Sequence, residues 1–404
     1  MYNIGIVVIG YNRLHCIKRL LKSLKSASYD GDKVDLIISI DNSGNEKLYE
    51  YVEKFEWLVG EKNVIIRPNR LGLKKHIIEC GKLTEKYNNL IVLEDDIYVS
   101  PYFYNYAKQS IAYYANNDNI AGISLYKHKF NIFASKLFLN EQSEYDTFFL
   151  KYAQSWGQIW NKNEWNNFIK WYQEQNDEFL YVNNIPDNLF NWGSQSWLKY
   201  HIRYCIENDK YFVYPNISHS TNFSNTGEHA TSNSPAYQVE LLYGRKGIYN
   251  FMPFNKESIK YDAYFERTEL NQILGIEEKD LCIDLYNKKR NKENRRYWLT
   301  TSVENYKIIK SFGLELKPHE MNIINRIEGN HIFLYDTSKV VQNNINKREH
   351  NHHLQLYYYG EYDKQDLSKY VAYKYTESIN YRLKQIKDKI RAIYQSFGAI
   401  WRKI

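Results

Sequence analysis

Short blocks of apolar residues alternate with amphipathic segments over roughly the first 115 residues of the chain. Four mostly apolar blocks are too short for helices and are typical of buried strands. These blocks cover residues 4–10, 34–40, 63–67 and 90–94. Between them, apolar residues recur every three or four positions, which predicts one helix after each strand. The predicted helices follow Asn12 as an N-cap, cover 46–57 and 74–86, and run from Ser100 as an N-cap to residue 114.

This alternation of strand and helix predicts an α/β fold, with a mainly parallel sheet and helices on both of its faces. Ligands of such sheets bind beyond the carboxyl ends of the strands. Side chains able to contact a polar ligand follow the predicted strands at these ends. They are Tyr11, Asn12, Arg13, Asp41, Asn69, Arg70, Glu94, Asp95 and Asp96. We therefore expect the functional site at this edge of the sheet.

The turn after the first strand excludes one familiar class of α/β protein. It reads Gly10-Tyr11-Asn12-Arg13 and lacks the G-x-G-x-x-G pattern of dinucleotide-binding folds. The chain has no Walker A sequence either. A phosphate at this site would therefore be held by a metal ion and basic side chains, because no glycine-rich loop is available.

Three adjacent carboxylates, Glu94, Asp95 and Asp96, directly follow the fourth predicted strand. We call these residues the acid triplet. Their mutual repulsion at the end of a buried strand must be offset, and hard cations such as Mg²⁺ or Mn²⁺ prefer carboxylate oxygens. A solvated turn that happens to be acidic is the other interpretation, and spacing alone leaves both open.

From residue 116 the periodicity weakens, and the sequence predicts separate elements. They are strands at 121–125, 211–214 and 331–335 and a helix near 197–208. Between residues 218 and 234 lies a long polar loop that contains His229. Loops of this length are usually functional or disordered.

Positive charge is concentrated at the C-terminus. The 404 residues carry a net charge of +7, and residues 378–404 hold seven basic residues and one acid, a net +6, which leaves 7 − 6 = +1 for the rest. Apolar residues in this tail recur every three or four positions, which predicts a basic amphipathic helix. Binding to an anionic membrane surface and ordinary core packing both fit such a helix.

Cysteine usage and the N-terminus indicate a cytoplasmic setting. The four cysteines are far apart and form no C-x-x-C pair, so a disulfide framework or zinc site is not expected. The first apolar run is short and no basic residue precedes it, which fits a first strand and not a signal peptide. No apolar run approaches the roughly 18 residues of a membrane span. With the basic tail, these features predict a cytoplasmic protein that is peripheral on the inner face of the membrane.

Four motifs in order along the chain resemble one enzyme family. They are Ile9-Gly10-Tyr11-Asn12-Arg13, Ser39-Ile40-Asp41-Asn42-Ser43-Gly44, Asn69-Arg70-Leu71-Gly72 and Glu94-Asp95-Asp96. Together they resemble GT-A-fold glycosyltransferases of the family-2 type, and the acid triplet also resembles that of N-acetylglucosaminyltransferase-I-like enzymes. The resemblance covers roughly residues 1–235. It implies a nucleotide-sugar-binding catalytic domain over residues 1–250, with an accessory region over 251–375 and the amphipathic helix over 376–404.

The resemblance also implies roles for individual positions. Asp41 matches a residue that hydrogen-bonds uracil, and Arg13 and His76 match residues that lie at the nucleotide. Glu94 and Asp95 match the acids of a DxD-type motif that contact ribose and metal-bound water. Further nucleotide-sugar contacts are expected from Tyr11, Asn12, Asn69 and Arg70. Asp96 and His229 match positions at the metal ion, Mn²⁺ or Mg²⁺. Each position also has a structural alternative, such as an ion pair between Arg13 and Asp41.

The catalytic base departs from the family pattern. Family members carry an acid shortly before a Ser-Trp-bearing helix, whereas the matching segment here is Ser194-Gln195-Ser196-Trp197. Because glutamine cannot accept the proton, Asp187 is the predicted base, with Glu164 and Glu228 as rivals. Inverting and retaining chemistry both stay open.

The function that follows from this resemblance is metal-dependent transfer of a sugar, with a UDP-sugar as the expected donor. The expected acceptor is a hydroxyl of a glycan or a lipid-linked sugar in bacterial surface polysaccharide assembly. A nucleic-acid partner is not expected, because the body of the chain is nearly neutral. Two alternatives share parts of the pattern: a sugar-1-phosphate nucleotidyltransferase and a non-catalytic module that binds a sugar or nucleotide. The nucleotidyltransferase would need a glycine-rich signature loop, which the N-terminus lacks.

Overall fold

The computed structural model describes residues 3–175, 177–225, 235–289, 291, 294–360, 379 and 383. Strands in the described residues are β1 Ile4–Gly10, β2 Asp35–Ile40, β3 Lys62–Ile66, β4 Asn89–Glu94, β5 Ile97–Val99, β6 Ile120–Ser124, β7 Phe130–Asn131, β8 Lys136–Leu137, β9 Thr147–Leu150, β10 Gln158–Asn161, β11 Tyr211–Pro215, β12 Ser220–Asn222, β13 Lys260–Tyr261, β14 Leu281–Asp284, β15 Tyr297–Thr300, β16 Tyr306–Phe312 and β17 Ile332–Val340. Helices there are α1 Leu14–Lys25, α2 Glu46–Lys54, α3 Leu73–Gly81, α4 Phe103–Tyr114, α5 Lys162–Glu174, α6 Leu198–Glu207, α7 Leu270–Leu274, α8 Glu320–Ile324 and α9 Lys347–Tyr359.

The largest sheet among the described residues has the strand order β13-β9-β11-β6-β10-β4-β1-β2-β3. Strands β1 to β4 pair in parallel, with β1 between β2 and β4, as the strand–helix alternation predicted. Every residue of β1 is buried, so both faces of the sheet are covered there. The predicted α/β fold with a mainly parallel sheet is therefore confirmed.

The other half of this sheet is mixed, which the sequence did not predict. Strand β10 runs antiparallel between β4 and β6, and β9 runs antiparallel to β11. Strand β11 is again parallel to β6, and β13 to β9. Thus the parallel direction reverses immediately beside β4, the strand that ends at Glu94.

Two predicted helix caps are wrong. Helix α1 begins at Leu14 and has Arg13 at its N-cap, while the carbonyl of Asn12 accepts a hydrogen bond from Asn45 Nδ2 at 3.1 Å. Helix α4 begins at Phe103 with Tyr102 at its N-cap, and the hydroxyl of Ser100 lies 3.5 Å from Nδ1 of His219. In both cases a tertiary contact uses the group that a local cap would need, so local pattern alone misplaces the helix start.

Beyond the main sheet, strands form a four-stranded sheet in the order β14-β15-β17-β16. Val303, Phe333 and Tyr335 form a small apolar core against it. The predicted strand at 331–335 is the first part of β17.

The chain divides into two compact units, Met1–Ile345 and Asn346–Ile404. In the second unit, α9 begins after Asn346, whose side chain accepts hydrogen bonds from the backbone of residues 348 and 349. The predicted boundaries at 250 and 375 stay predictions, and the predicted amphipathic helix lies outside the described residues except for positions 379 and 383. Among described helices, none has the length and apolar character to cross a bilayer.

Candidate active site at the carboxyl edge of the sheet

The carboxyl ends of β1, β2 and β4 bring the predicted polar residues to one edge. Ile9 in β1 lies opposite Glu94 in β4, and the backbone N–H of Asp41 donates to the carbonyl of Gly10 at 2.9 Å. Because neighbouring strands lie about 4.8 Å apart, the ends of these three strands fall within roughly 10 Å of one another. The parallel sheet thus places Asp41 and the acid triplet in one site.

Asp41 organises the loop that follows β3. Its side chain is 3% exposed, and its carboxylate accepts hydrogen bonds from the backbone N–H groups of Asn42, Leu71 and Gly72 at 2.8–2.9 Å. Gly72 has a φ of +79°, a conformation that favours glycine, and this allows the loop to turn into α3. Hydrogen bonds to Asp41 therefore hold the loop that carries Asn69 and Arg70 against the end of β2.

The outer rim of the site is polar and exposed. The guanidinium of Arg70 lies 4.8 Å from the centre of the Tyr11 ring, a cation–π distance. Asn12, Asn69 and Arg70 are exposed, whereas Tyr11 is half-buried. The contact between Tyr11 and Arg70 thus joins the loops after β1 and β3 at the exposed rim of the site.

His76 lies one layer behind this rim. Its side chain is 2% exposed, and its Nε2 lies 2.8 Å from the hydroxyl of Ser39, two residues before Asp41. Burial lowers the pKa of His76 to about 4, a shift opposed by Asp41 and reinforced by Arg67. A neutral imidazole therefore supports the end of β2 from inside the protein.

Arg13 binds the acid triplet through two separate contacts. Its Nε donates to Asp95 Oδ2 at 3.2 Å, and its Nη2 donates to Asp95 Oδ1, which makes a bidentate pair. The same Nη2 lies 3.4 Å from Asp96 Oδ2. The alternative that predicted an ion pair between Arg13 and Asp41 is therefore wrong, because Arg13 pairs with Asp95 and Asp96.

Burial and mutual repulsion set the charge behaviour of the triplet. Burial raises the pKa of Glu94, and the neighbouring carboxylates of Asp96 and Asp95 raise it further. Burial also raises the pKa of Asp95, although Arg13 opposes that shift. For Arg13 the two carboxylates outweigh burial and raise its pKa above the ordinary value. The cluster therefore favours additional positive charge.

One carboxylate oxygen of the acid triplet is buried without a hydrogen bond from the described residues. Asp96 Oδ1 is buried and has no hydrogen-bond partner among the described residues. Within that same part of the chain, no three His, Cys, Asp or Glu side chains are grouped so as to hold a metal by themselves. These residues fit a cation that takes one carboxylate from the protein and its other ligands from phosphate and water, a common arrangement for Mg²⁺. His229, the other predicted metal position, lies outside the described residues.

The Ser194–Trp197 segment lies close to the acid triplet and to Gly72. The side chain of Trp197 lies near Glu94 and partly offsets the raised pKa of that acid. Gln195 Oε1 lies 2.9 Å from the position that a Cβ would occupy on Gly72. The sequence had identified this segment only as the expected place of a base, and its two contacts with the site were missed.

Asn225 was also missed, although it lies in the long polar loop singled out in the sequence. Its carbonyl accepts from Arg13 Nη1 at 3.2 Å, and its Oδ1 accepts from Arg19 Nη2 at 2.6 Å. Two residues earlier, the N–H of Phe223 donates to the carbonyl of Asp96 at 3.0 Å. The described start of this loop is therefore bonded to the acid triplet and to Arg13.

No family model matches the sequence, and no curated protein matches it. Solved structures similar to this chain include S. aureus TarS 1-349 in complex with UDP-GlcNAc, with 15% identity, a TM-score of 0.37, and coverage of 57% of this chain and 60% of that one. Another is the mannosyltransferase PcManGT from Pyrobaculum calidifontis in complex with GDP-Man and Mn²⁺, with 10% identity and a TM-score of 0.29. That match covers 40% of this chain and 45% of the other. The matches thus span less than two thirds of either protein.

The candidate bases lie in different places. Asp187 is exposed at the start of a short 3₁₀ segment, Asp187–Asn191. The pKa of Tyr264 is raised mainly by burial, and the carboxylates of Asp262 and then Asp187 raise it further. Its role as a base stays a prediction. Glu228 lies outside the described residues.

Glu164 lies at the opposite edge of the sheet from the acid triplet. It follows β10, whose last residue, Asn161, pairs with Asn89 at the start of β4. Its carboxylate is buried and pairs with Lys210 Nζ at 2.9 Å. A cavity of about 290 Å³, lined in part by Asn89 and Asn161, lies at this amino edge and is separate from the acid triplet. Glu164 therefore belongs to the packing of the sheet's amino edge.

The buried His76 predicts a pH dependence of stability. Its folded pKa of about 4 lies below the ordinary value near 6.5, so folding excludes its charged form. The corresponding stability is present above pH 6.5 and is lost as the pH falls toward 4. Between pH 7 and pH 5 the loss amounts to about 2 kcal/mol in the free energy of unfolding.

Urea unfolding at both pH values measures this contribution. His76→Gln can keep a hydrogen bond to Ser39 but does not titrate, so its stability should fall less between pH 7 and pH 5. His15→Gln, at an exposed position of α1, serves as the control and should retain the wild-type pH dependence. An unchanged pH dependence in His76→Gln would contradict the assignment.

Proposed function

We propose that this protein is a metal-dependent glycosyltransferase that moves a sugar from a nucleotide sugar, with UDP as the expected nucleotide, to a hydroxyl acceptor. One observation carries the proposal: Oδ1 of Asp96, at the carboxyl ends of three parallel strands, is buried and has no hydrogen-bond partner in the described part of the chain. A carboxylate oxygen left in this state beside a bidentate Arg13–Asp95 pair supports a cation site that is completed by a ligand.

The donor half of the proposal assigns a role to each position at this edge. Asp41 accepts a hydrogen bond from the uracil. Among the described contacts its Oδ2 accepts only the Gly72 N–H, and a carboxylate oxygen can accept a second hydrogen bond. Glu94 and Asp95 would contact the ribose and water at the metal, and Asp96 with His229 would hold the Mn²⁺ or Mg²⁺. The remaining nucleotide-sugar contacts come from Tyr11, Asn12, Asn69 and Arg70, while Arg13 pairs with Asp95 and the buried His76 supports the end of β2 through Ser39.

In the proposed reaction, a bound cation supplies charge neutralisation to the leaving diphosphate. Asp187 removes the proton from the acceptor hydroxyl, which attacks the anomeric carbon in line with the leaving group. This arrangement gives inversion at that carbon. Asp41 and the Arg70–Tyr11 contact hold the nucleotide, and Trp197 lies beside Glu94.

The acceptor we propose is a glycan or a lipid-linked sugar of a bacterial surface polysaccharide. The cationic tail, residues 378–404 with a net charge of +6, supports attachment to an anionic inner membrane surface from the cytoplasmic side. Residues 1–250 would form the catalytic domain and residues 251–375 an accessory region. Residues 376–404 would form the basic amphipathic helix that binds the membrane surface.

A thermal-shift screen of nucleotide sugars with and without Mn²⁺ tests this function. UDP or a UDP-sugar with Mn²⁺ should raise the melting temperature, because a ligand that binds only the folded state stabilises it. Release of UDP from the UDP-sugar without an acceptor separates a transferase from a binding module, which should release none. Pyrophosphate release from UTP and a sugar 1-phosphate would instead indicate a nucleotidyltransferase. No shift with any nucleotide, with or without Mn²⁺, would refute the proposal.

A further inference from the structure

Every nitrogen of the Arg13 guanidinium donates to this protein's own atoms. Nε and Nη2 are used by Asp95, and Nη1 by the carbonyl of Asn225. The side chain of Arg13 is only 20% exposed, and that of Asp95 only 6%. An arginine with every nitrogen already bonded to the protein has few N–H groups left for a phosphate, so it is poorly placed to act first as a phosphate ligand.

Arg13 also supplies the positive charge closest to the acid triplet among the described residues. Both ion pairs of Asp95 and Asp96 are made with Arg13. Arg19, on the same helix, affects Asp95 more weakly than Arg13 and uses its Nη2 to bond Asn225. With three carboxylates and one guanidinium, the ionised cluster keeps a formal charge of about −2.

The bidentate pair with Arg13 also keeps Asp95 from binding a metal ion. Both of its oxygens accept from Arg13, whereas Asp96 keeps one oxygen without a partner. A cation that approaches Asp96 meets one available carboxylate oxygen and, within a few ångströms, the guanidinium of Arg13. Like charges at such distances repel appreciably even at a protein surface.

We propose that Arg13 is a positioning residue that acts as the resident counter-charge of the acid triplet. It holds Asp95 out of the coordination sphere and opposes the binding of a bare divalent cation. The cation then binds well only together with a diphosphate, whose negative charges offset the repulsion from Arg13. This inference rests on the proposed function, since it concerns the same metal and nucleotide.

Binding of Mn²⁺ measured by electron paramagnetic resonance at pH 8, with and without UDP, tests the inference. Arg13→Gln should bind Mn²⁺ alone at least about tenfold tighter than the wild type, because the repelling charge is gone. Arg13→Lys keeps the charge but loses the bidentate geometry, and its affinity for Mn²⁺ alone should stay near the wild-type value. A merely structural role would make the two variants behave alike.

Arg19→Gln is the matched control, since it removes a nearby cation in α1 and a bond to the same Asn225 but, among the described residues, no bond to a carboxylate. Its affinity for Mn²⁺ should change by less than about threefold. As a second variant, Asp95→Asn keeps Arg13 and removes one negative charge, so Mn²⁺ binding in the presence of UDP should weaken. This variant keeps the test possible if Arg13→Gln does not fold.

Two results would overturn the counter-charge role alone: unchanged or weaker Mn²⁺ binding by folded Arg13→Gln, or unchanged binding by Asp95→Asn. Wild-type protein that binds Mn²⁺ alone as tightly as with UDP would do the same. If wild-type protein binds no Mn²⁺ even with UDP, the proposed function fails as well, and the two failures are thereby distinguished.

Discussion

Asp96→Ala is expected to abolish Mn²⁺-dependent binding of UDP, with the affinity falling at least about a hundredfold. The substitution removes the one triplet carboxylate oxygen that is buried and has no hydrogen-bond partner among the described residues. Arg13 and Asp95 keep their bidentate contact, so the folded structure should persist. Isothermal titration calorimetry with UDP, in Mn²⁺ and in EDTA, measures the loss.

Asp118→Asn provides the control for this experiment. Asp118 is an exposed acid just before β6, at the opposite edge of the sheet from the acid triplet. Its substitution should leave UDP affinity unchanged in both buffers. Undiminished binding of UDP with Mn²⁺ by the Asp96→Ala variant would remove Asp96 from the metal site.

Asp41→Ala should weaken both the fold and the nucleotide site. The backbone N–H groups of Leu71 and Gly72 would lose their acceptor, and an unpaired buried donor costs roughly 1–3 kcal/mol. We expect a loss of about 2–4 kcal/mol in the free energy of unfolding, measured with urea. UDP affinity of the folded fraction should fall at least about tenfold, because the acceptor for uracil is gone.

A control on the same strand separates the two effects. Asp35, at the amino end of β2, accepts hydrogen bonds from the Glu61 N–H and the Tyr87 hydroxyl. Asp35→Ala should therefore also destabilise the fold but leave UDP affinity unchanged. Equal losses of UDP affinity in the two variants would show that Asp41 affects UDP binding only through the stability of the fold.

The first half of the sheet could be predicted because its strands are buried on both faces. Mostly apolar blocks marked β1, β2 and β4, and helical spacing marked the segments between them. Parallel pairing then follows from the crossover helices, and the carboxyl edge follows from parallel pairing. The convergence of Asp41 and Glu94 was therefore available from sequence alone.

The contacts that complete the site could not be predicted in this way. Trp197 reaches Glu94, and Asn225 reaches Arg13, across more than a hundred residues of chain. The antiparallel entry of β10 beside β4 is equally non-local. Periodicity reports local structure, whereas these partners depend on how distant segments pack.

The position of β10 has a consequence for how the chain is made. Strand β4 has its outer hydrogen-bonding edge covered by Gln158–Asn161, which are synthesised well after β4 itself. Until they emerge from the ribosome, a nascent chain ending near α4 presents an apolar strand with an open edge, the usual template for aggregation. Truncation before residue 158 should therefore yield insoluble protein, even though it keeps the four parallel strands.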